Sequence, residues 1–292
     1  MNAVLGSWML VAGVCGVFGL LIGSFLNVVA YRVPAGVSIV SPPSACPNCG
    51  QAIRPYDNVP VLSWLVLRGK CRDCAEPIST RYPLVELGTG VAFAAVTAWW
   101  FVMGGVASTS SATGVASTGS ATGVVASILV LVALLYLAAI SVVLGLIDID
   151  VHKLPNRIVL PSYLVAGALF VAASAFSGDW SALLRSGIGL AGLWLVYAIL
   201  AVARPGGMGF GDVKLAGLLG AYLGWIGWGT LFVGAFAAFI LGGVFALILV
   251  LTRRANRKGG IPFGPWMLAG AWVGMFFGET VWHGYLSLFA LA

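Results

Sequence analysis

Residues 206–215 read GGMGFGDVKL, and they place one carboxylate, Asp212, where a glycine-rich break gives way to a long apolar run. An ionisable group at or near membrane depth is costly, so it marks a functional site by default. Gly209 and Gly211 flank Phe210, and glycine lets a backbone turn sharply and approach a ligand closely. Both are therefore candidate active-site backbone positions. Upstream, Asp148 and Asp150 end another apolar run in GLIDIDVHKLPN; with Asp212 they make three of the nine acidic residues in the chain.

The composition accounts for the apolar runs. Of 292 residues, 60% are hydrophobic and 8% charged, with a mean hydropathy of +1.03. Soluble domains are nearer a quarter charged, so this is the profile of a polytopic membrane protein. Crossing a hydrocarbon core of about 30 Å takes roughly 20 apolar residues. Runs of that kind predict spans near 8–30, 84–103, 124–147, 158–176, 183–203 and 263–289. A further stretch, 213–251, is too long for one crossing and should reverse near GWIGWG, residues 224–229. The expected fold is an all-α polytopic membrane protein of about eight transmembrane helices, the sixth of them short. The N-terminus lacks a basic region and its apolar stretch is long, so it reads as a retained span rather than a signal peptide.

Three segments follow: a first span at 1–30, an insert at 31–83, and a membrane domain at 84–292. The insert breaks the apolar pattern with eight of the thirteen prolines, six Arg/Lys and four cysteines. Residues 105–127 repeat GVASTSSAT and GVASTGSAT, a composition too poor in bulky side chains to fold. They are expected to form a flexible extracytoplasmic loop without chemistry. The net charge of +6 could suggest nucleic acid, but in a membrane protein Lys and Arg first report orientation. Setting the insert and the loops after spans three, five and seven inside puts 14 of the 15 Lys/Arg in the cytoplasm, leaving Arg185 outside.

Cys46, Cys49, Cys71 and Cys74 form two C-x-x-C pairs separated by 21 residues, close to zinc-ribbon spacing and one residue beyond its usual range. Two such knuckles supply the four-thiolate shell that Zn²⁺ prefers. On the reducing side of the membrane a disulfide framework is not expected. A full thiolate shell leaves no open position for substrate, so the zinc should be structural. Cys15 reads as a packing residue and Asn27 as a bond to a neighbouring helix. Glu86 reads as a first-turn acid favoured by the helix dipole, or as a polar contact lining an active cavity.

Two carboxyl groups sharing a site can hydrolyse an amide as the aspartic proteases do. One acts as base toward a water while the other, protonated, polarises the carbonyl. On a helix, residues two apart point about 200° from one another, so only one of Asp148 and Asp150 can face Asp212. Asp148, nearer the apolar run, is the expected partner. Asp150, near His152 and Lys153, is expected to be solvated. The plainer alternative makes all three helix caps or boundary residues. His152 and His283 read as interfacial or packing residues, since no Ser-His-Asp set or HExxH motif is present.

The residues GSFLNVVAYRVP (23–34), CPNC and CRDC, RYPLVELGTG (81–90), LIDIDVHKLPN (146–156), GMGFGDVKL (207–215) and IPFGP (261–265) together resemble a bacterial type IV prepilin peptidase. The motifs run in that family's order over nearly the whole chain. The resemblance implies an inner-membrane aspartic protease of the GxGD type that cuts the basic leader of type IV prepilins or type II secretion pseudopilins after a glycine. Carried over, the catalytic pair is Asp148 and Asp212. The resemblance also implies N-methylation of the new N-terminus from S-adenosylmethionine, an activity associated with the cysteine-bearing region. Asn156 departs from the family, standing where many members have an aspartate. The rival readings are a proton-coupled transporter, against which no inverted repeat is apparent, and a zinc-stabilised secretion scaffold, which needs no aspartate pair.

Overall fold

The computed structural model describes residues 2–102, 121–203, 208–252 and 262–289. Among these, eight long helices occur: α1 (Asn2–Arg32), α3 (Arg81–Val102), α4 (Ala121–Val151), α5 (Asn156–Ser177), α6 (Trp180–Ala203), α7 (Phe210–Ile226), α8 (Trp228–Leu251) and α9 (Gly264–Leu288). A short α2 (Leu62–Val66) and a 3₁₀ turn (Pro55–Asp57) lie in the insert. By length and apolar composition six of the long helices, α1, α3, α4, α5, α6 and α8, suffice to cross a membrane. At 17 residues α7 is about 26 Å long at 1.5 Å per residue, short of a typical hydrocarbon core.

The chain divides into two compact units, residues 1–105 with 134–146 and residues 106–133 with 147–292. In the first, α1 packs against α3 through small residues. A Cβ added to Gly19 would meet the Gly90 Cα at 2.9 Å, and one on Gly23 the Glu86 Cα at 2.7 Å. Without a strong hydrophobic drive between helices in lipid, close backbone approach through such residues is what holds them. Asn27 Nδ2 donates to the Tyr82 carbonyl of α3 at 3.3 Å, the interhelical bond expected of it.

Glu86 departs from the first-turn expectation. The helix starts at Arg81, so Glu86 lies beyond the first turn; it is buried, and its carboxylate accepts the backbone N–H of Val61 at 2.7 Å. It ties the insert to α3, a role hidden in the sequence because its partner is a main-chain group in an irregular segment.

In the second unit α7 is central, in contact with α5, α6, α8 and α9. Every residue from Leu215 to Trp225 is buried, which explains why this helix is apolar all round. Gly189 of α6 and Gly220 of α7 leave no room for a Cβ on either, and one on Gly224 would lie 2.5 Å from the Arg185 carbonyl. The expected reversal falls at Gly227, between α7 and α8. Arg185 brackets it by donating to the Gly224 and Trp225 carbonyls at 2.7 and 2.8 Å, satisfying orphan groups at the α7 C-terminus. Glu279 accepts the Thr230 N–H at 3.2 Å at the start of α8.

The expected loop at 105–127 is corrected at its end. Residues 121–127 belong to α4, because a weak helix former extends a helix already nucleated by the apolar run behind it. Residues 103–120, 204–207 and the basic loop at 253–258 lie outside the described residues.

Candidate functional site

Two clusters of chemistry-bearing side chains stand out, one in each unit. In the second unit Asp148 occupies the last turn of α4, which continues to Val151 rather than stopping before the aspartate. Ile140, Leu144 and Asp148 fall at successive intervals of four residues on one buried stripe, and Asp148 is 5% exposed. Asp150 points the other way and is exposed, as the 200° offset requires.

The buried Asp148 carboxylate accepts the backbone N–H of Gly264, the first residue of α9, at 3.1 Å. A Cβ at Gly264 would stand 2.6 Å from the same oxygen. Gly264 thereby joins the candidate site; its one signal in the sequence is the motif IPFGP, which by itself gives the glycine no role.

Asp212 sits in the first turn of α7, where the helix dipole favours an anion. Its carboxylate accepts the Gly209 N–H at 3.2 Å while its own N–H donates to the Gly209 carbonyl at 3.0 Å. Gly209 is thus the residue that turns the chain into the helix. The turn that carries Asp212 and the glycine that holds Asp148 lie against the same side chain. Leu154, in the connection from α4 to α5, bridges their surroundings. A Cβ on Gly211 would meet the Leu154 Cβ at 3.1 Å, and one on Gly264 would meet its Cδ2 at 3.5 Å. The backbone at Gly211 therefore runs close against Leu154.

The first unit holds the second cluster. Cys46, Cys49, Cys71 and Cys74 bring their four sulfurs within 4.8 Å of one another. The two knuckles are built alike. Each is closed by a single antiparallel bridge, Ala45 with Ala52 and Lys70 with Pro77. In each the fourth residue after the first cysteine donates its N–H back to that cysteine's carbonyl: Gly50 to Cys46 at 2.9 Å and Ala75 to Cys71 at 3.0 Å. Both those residues take positive φ, 70° and 57°.

Cys46 and Cys74 sulfurs stand 3.7 Å apart, matching the edge of about 3.8 Å for a tetrahedron with Zn–S bonds of about 2.3 Å. Backbone N–H groups of Cys49 and Asn48 hold the Cys46 thiol down at about 7, favouring the thiolate a metal needs. For Cys49 the Gln51 N–H acts in the same direction, but desolvation and the neighbouring thiols of Cys74 and Cys46 push it up to about 11. Away from the sulfurs, Arg72 grips Asp57 through Nε at 2.9 Å and Arg54 pairs with Asp73 at 2.9 Å, each linking the second knuckle to the stretch after the first.

Residues 17–101 match the bacterial peptidase A24 N-terminal domain, and residues 135–247 match the type IV leader peptidase family. A prepilin leader peptidase/N-methyltransferase of Stutzerimonas stutzeri is 32% identical over 295 residues, covering 93% of this chain and 92% of the relative. Proteins of the same name from Aeromonas hydrophila and Neisseria gonorrhoeae are 33% and 32% identical, over 93% and 91% of this chain and 92% and 91% of their own. No solved structure matches the chain.

Proposed function

The chain belongs to the type IV leader peptidase family, and we propose that it removes the leader from type IV prepilins or pseudopilins with Asp148 and Asp212 as the catalytic pair. The observation that carries the residue assignment is the Asp148 carboxylate, buried in a helix end yet held by the Gly264 N–H, with the turn that bears Asp212 packed on the Leu154 side chain that also lies against Gly264. A structural cap has no need of a second acid beside it.

The ionised carboxylate takes a proton from water as the oxygen attacks the carbonyl carbon of the scissile bond, while the protonated partner gives its proton to the carbonyl oxygen. Collapse of the tetrahedral intermediate breaks the C–N bond. The amine leaves with a proton from the first carboxyl group while the second carboxylate takes a proton back from a diol hydroxyl as the carbonyl re-forms, so the pair ends with one proton, as it began. The Gly264 N–H fixes one Asp148 oxygen, leaving the other for this exchange. Gly209 and Gly211 let the backbone pass close to a bound peptide.

In this reading the chain is a multi-pass protein of the bacterial inner membrane with eight crossings, its insert and aspartates at the cytoplasmic face, where the positive-inside bias sets them. The substrate's apolar helix lies in the bilayer against the spans, with its leader in the cytoplasm. The four cysteines hold a structural zinc, which the sulfur geometry fits. The chain also N-methylates the new N-terminus with S-adenosylmethionine as methyl donor. Among the described residues there is no strand, so the donor is not held on a strand-to-helix glycine loop there, and no residue is assigned to it.

The test is leader removal from a prepilin peptide by purified protein. Asp148→Asn and Asp212→Asn should each lose activity while still inserting; full cleavage by either variant would remove that residue from the pair.

A further inference from the structure

Beyond the carboxylates themselves, two contacts cross from the α4–α5 connection to the start of α7. One is the packing of Leu154 against Gly211. The other is a hydrogen bond in which Lys214 Nζ donates to Asn156 Oδ1 at 3.0 Å. Lys214 lies two residues past Asp212 and Asn156 eight residues past Asp148, so the bond joins the two chain segments that carry the acids. We propose that Lys214 and Asn156 are a positioning pair, whose hydrogen bond holds the end of α4 and the start of α7 in register for the two aspartates.

Several features of Lys214 set it apart from a lysine that only anchors a helix in the headgroup region. Its ammonium sits 5.5 Å from the centre of the Phe210 ring, a cation–π arrangement that fixes the flexible stem. Its backbone carbonyl accepts the hydroxyl of Tyr163 from α5, so α5 grips this residue at both ends. Asn156 is the first residue of α5, directly after Pro155, whose ring limits the backbone there. Both partners thus sit on restrained backbone, and little freedom remains to be lost when the bond forms. A lysine serving orientation alone needs no defined acceptor.

The inference rests on Asp148 and Asp212 being the catalytic pair, and the experiment separates the two ideas. Initial rates of leader removal are measured over a range of prepilin peptide concentrations for the full chain in detergent. Lys214→Met and Asn156→Ala should each lower kcat on the order of 10- to 100-fold, as small misplacements of reacting groups do, with KM nearly unchanged. The double variant should lose no more than the worse single variant, because both break one contact. Lys214→Arg and Asn156→Asp, which keep a donor facing an acceptor, should recover most of the lost rate. Wild-type kcat in Lys214→Met, or losses that multiply in the double variant, would overturn the pair. If Lys214→Met fails to insert, Asn156→Ala at its exposed position carries the same expectation alone. An active Asp212→Asn protein would instead bring down the site assignment; an inactive one beside a fully active Lys214→Met brings down only the positioning pair.

Discussion

The backbone N–H of Gly264 donates to the Asp148 carboxylate across 3.1 Å, joining residues 116 positions apart in the chain. The bond supplies a buried acid with a fixed donor, and it makes the start of α9 part of the proposed catalytic site. Gly264 can do this because it has no side chain in the way. In Gly264→Ala the new methyl would stand 2.6 Å from the carboxylate oxygen, so either the acid or the helix must shift. We predict a fall in kcat for leader removal on the order of 10²-fold, with membrane insertion intact. A variant at wild-type rate would show that this bond does not set the geometry of the acid.

Asp148 and Asp150 differ by two positions and should differ fully in effect. Asp148→Asn replaces a group proposed to exchange protons with the substrate, and roughly 10²- to 10⁴-fold of the rate should go with it. Asp150 is exposed on the opposite side of the helix, so Asp150→Asn should cleave at nearly the wild-type rate. Parallel single-turnover assays on the two proteins check this. Equal losses would mean that the helix turns its other face to the substrate.

That distinction was legible in the sequence because helical period is a local property, and one apolar run fixed which side of α4 is buried. The break at Gly227 was legible for a similar reason, since 39 apolar residues cannot make a single crossing. The cysteine knuckles could be read from their spacing. What escaped were bonds to main-chain atoms far along the chain. By sequence Glu86 reads as a dipole partner or a cavity contact, while the fold shows it holding the Val61 N–H, and IPFGP alone gives Gly264 no role. Backbone donors leave no mark on side-chain composition, so only the fold reveals them.

Metal analysis of the purified chain should find one zinc per molecule, lost in Cys46→Ser and in Cys71→Ser alike. Removing either thiolate leaves three ligands, which hold structural zinc far more weakly than four. Because the ligands must be deprotonated, chelator-accessible zinc should rise as the pH falls. Retention of a full equivalent of zinc in both variants would rule out the four-cysteine shell.

The insert should loosen in acid through one ion pair. Arg72 holds Asp57 through two nitrogens, Nε at 2.9 Å from Oδ2 and Nη2 on Oδ1, and the aspartate side chain is only 10% exposed. The guanidinium hydrogen bonds keep the Asp57 carboxyl below the ordinary aspartate range, outweighing its desolvation. A depressed carboxylate contributes stability that is complete above the unfolded value near 3.9 and disappears as pH falls through the lower folded value. Proteolytic nicking of the insert should therefore be constant from neutral pH to about 5 and increase below about 4. In Arg72→Ala the carboxyl loses its partner. Nicking at neutral pH should rise, and the added sensitivity that acid brings should shrink, since little of the pair is left to lose. The side chain of Arg72 also stacks over Tyr56 at 5.4 Å, so Asp57→Asn, which leaves that stacking in place, isolates the charge. If Asp57→Asn keeps the wild-type acid profile, the onset of nicking belongs to another carboxyl group in the insert.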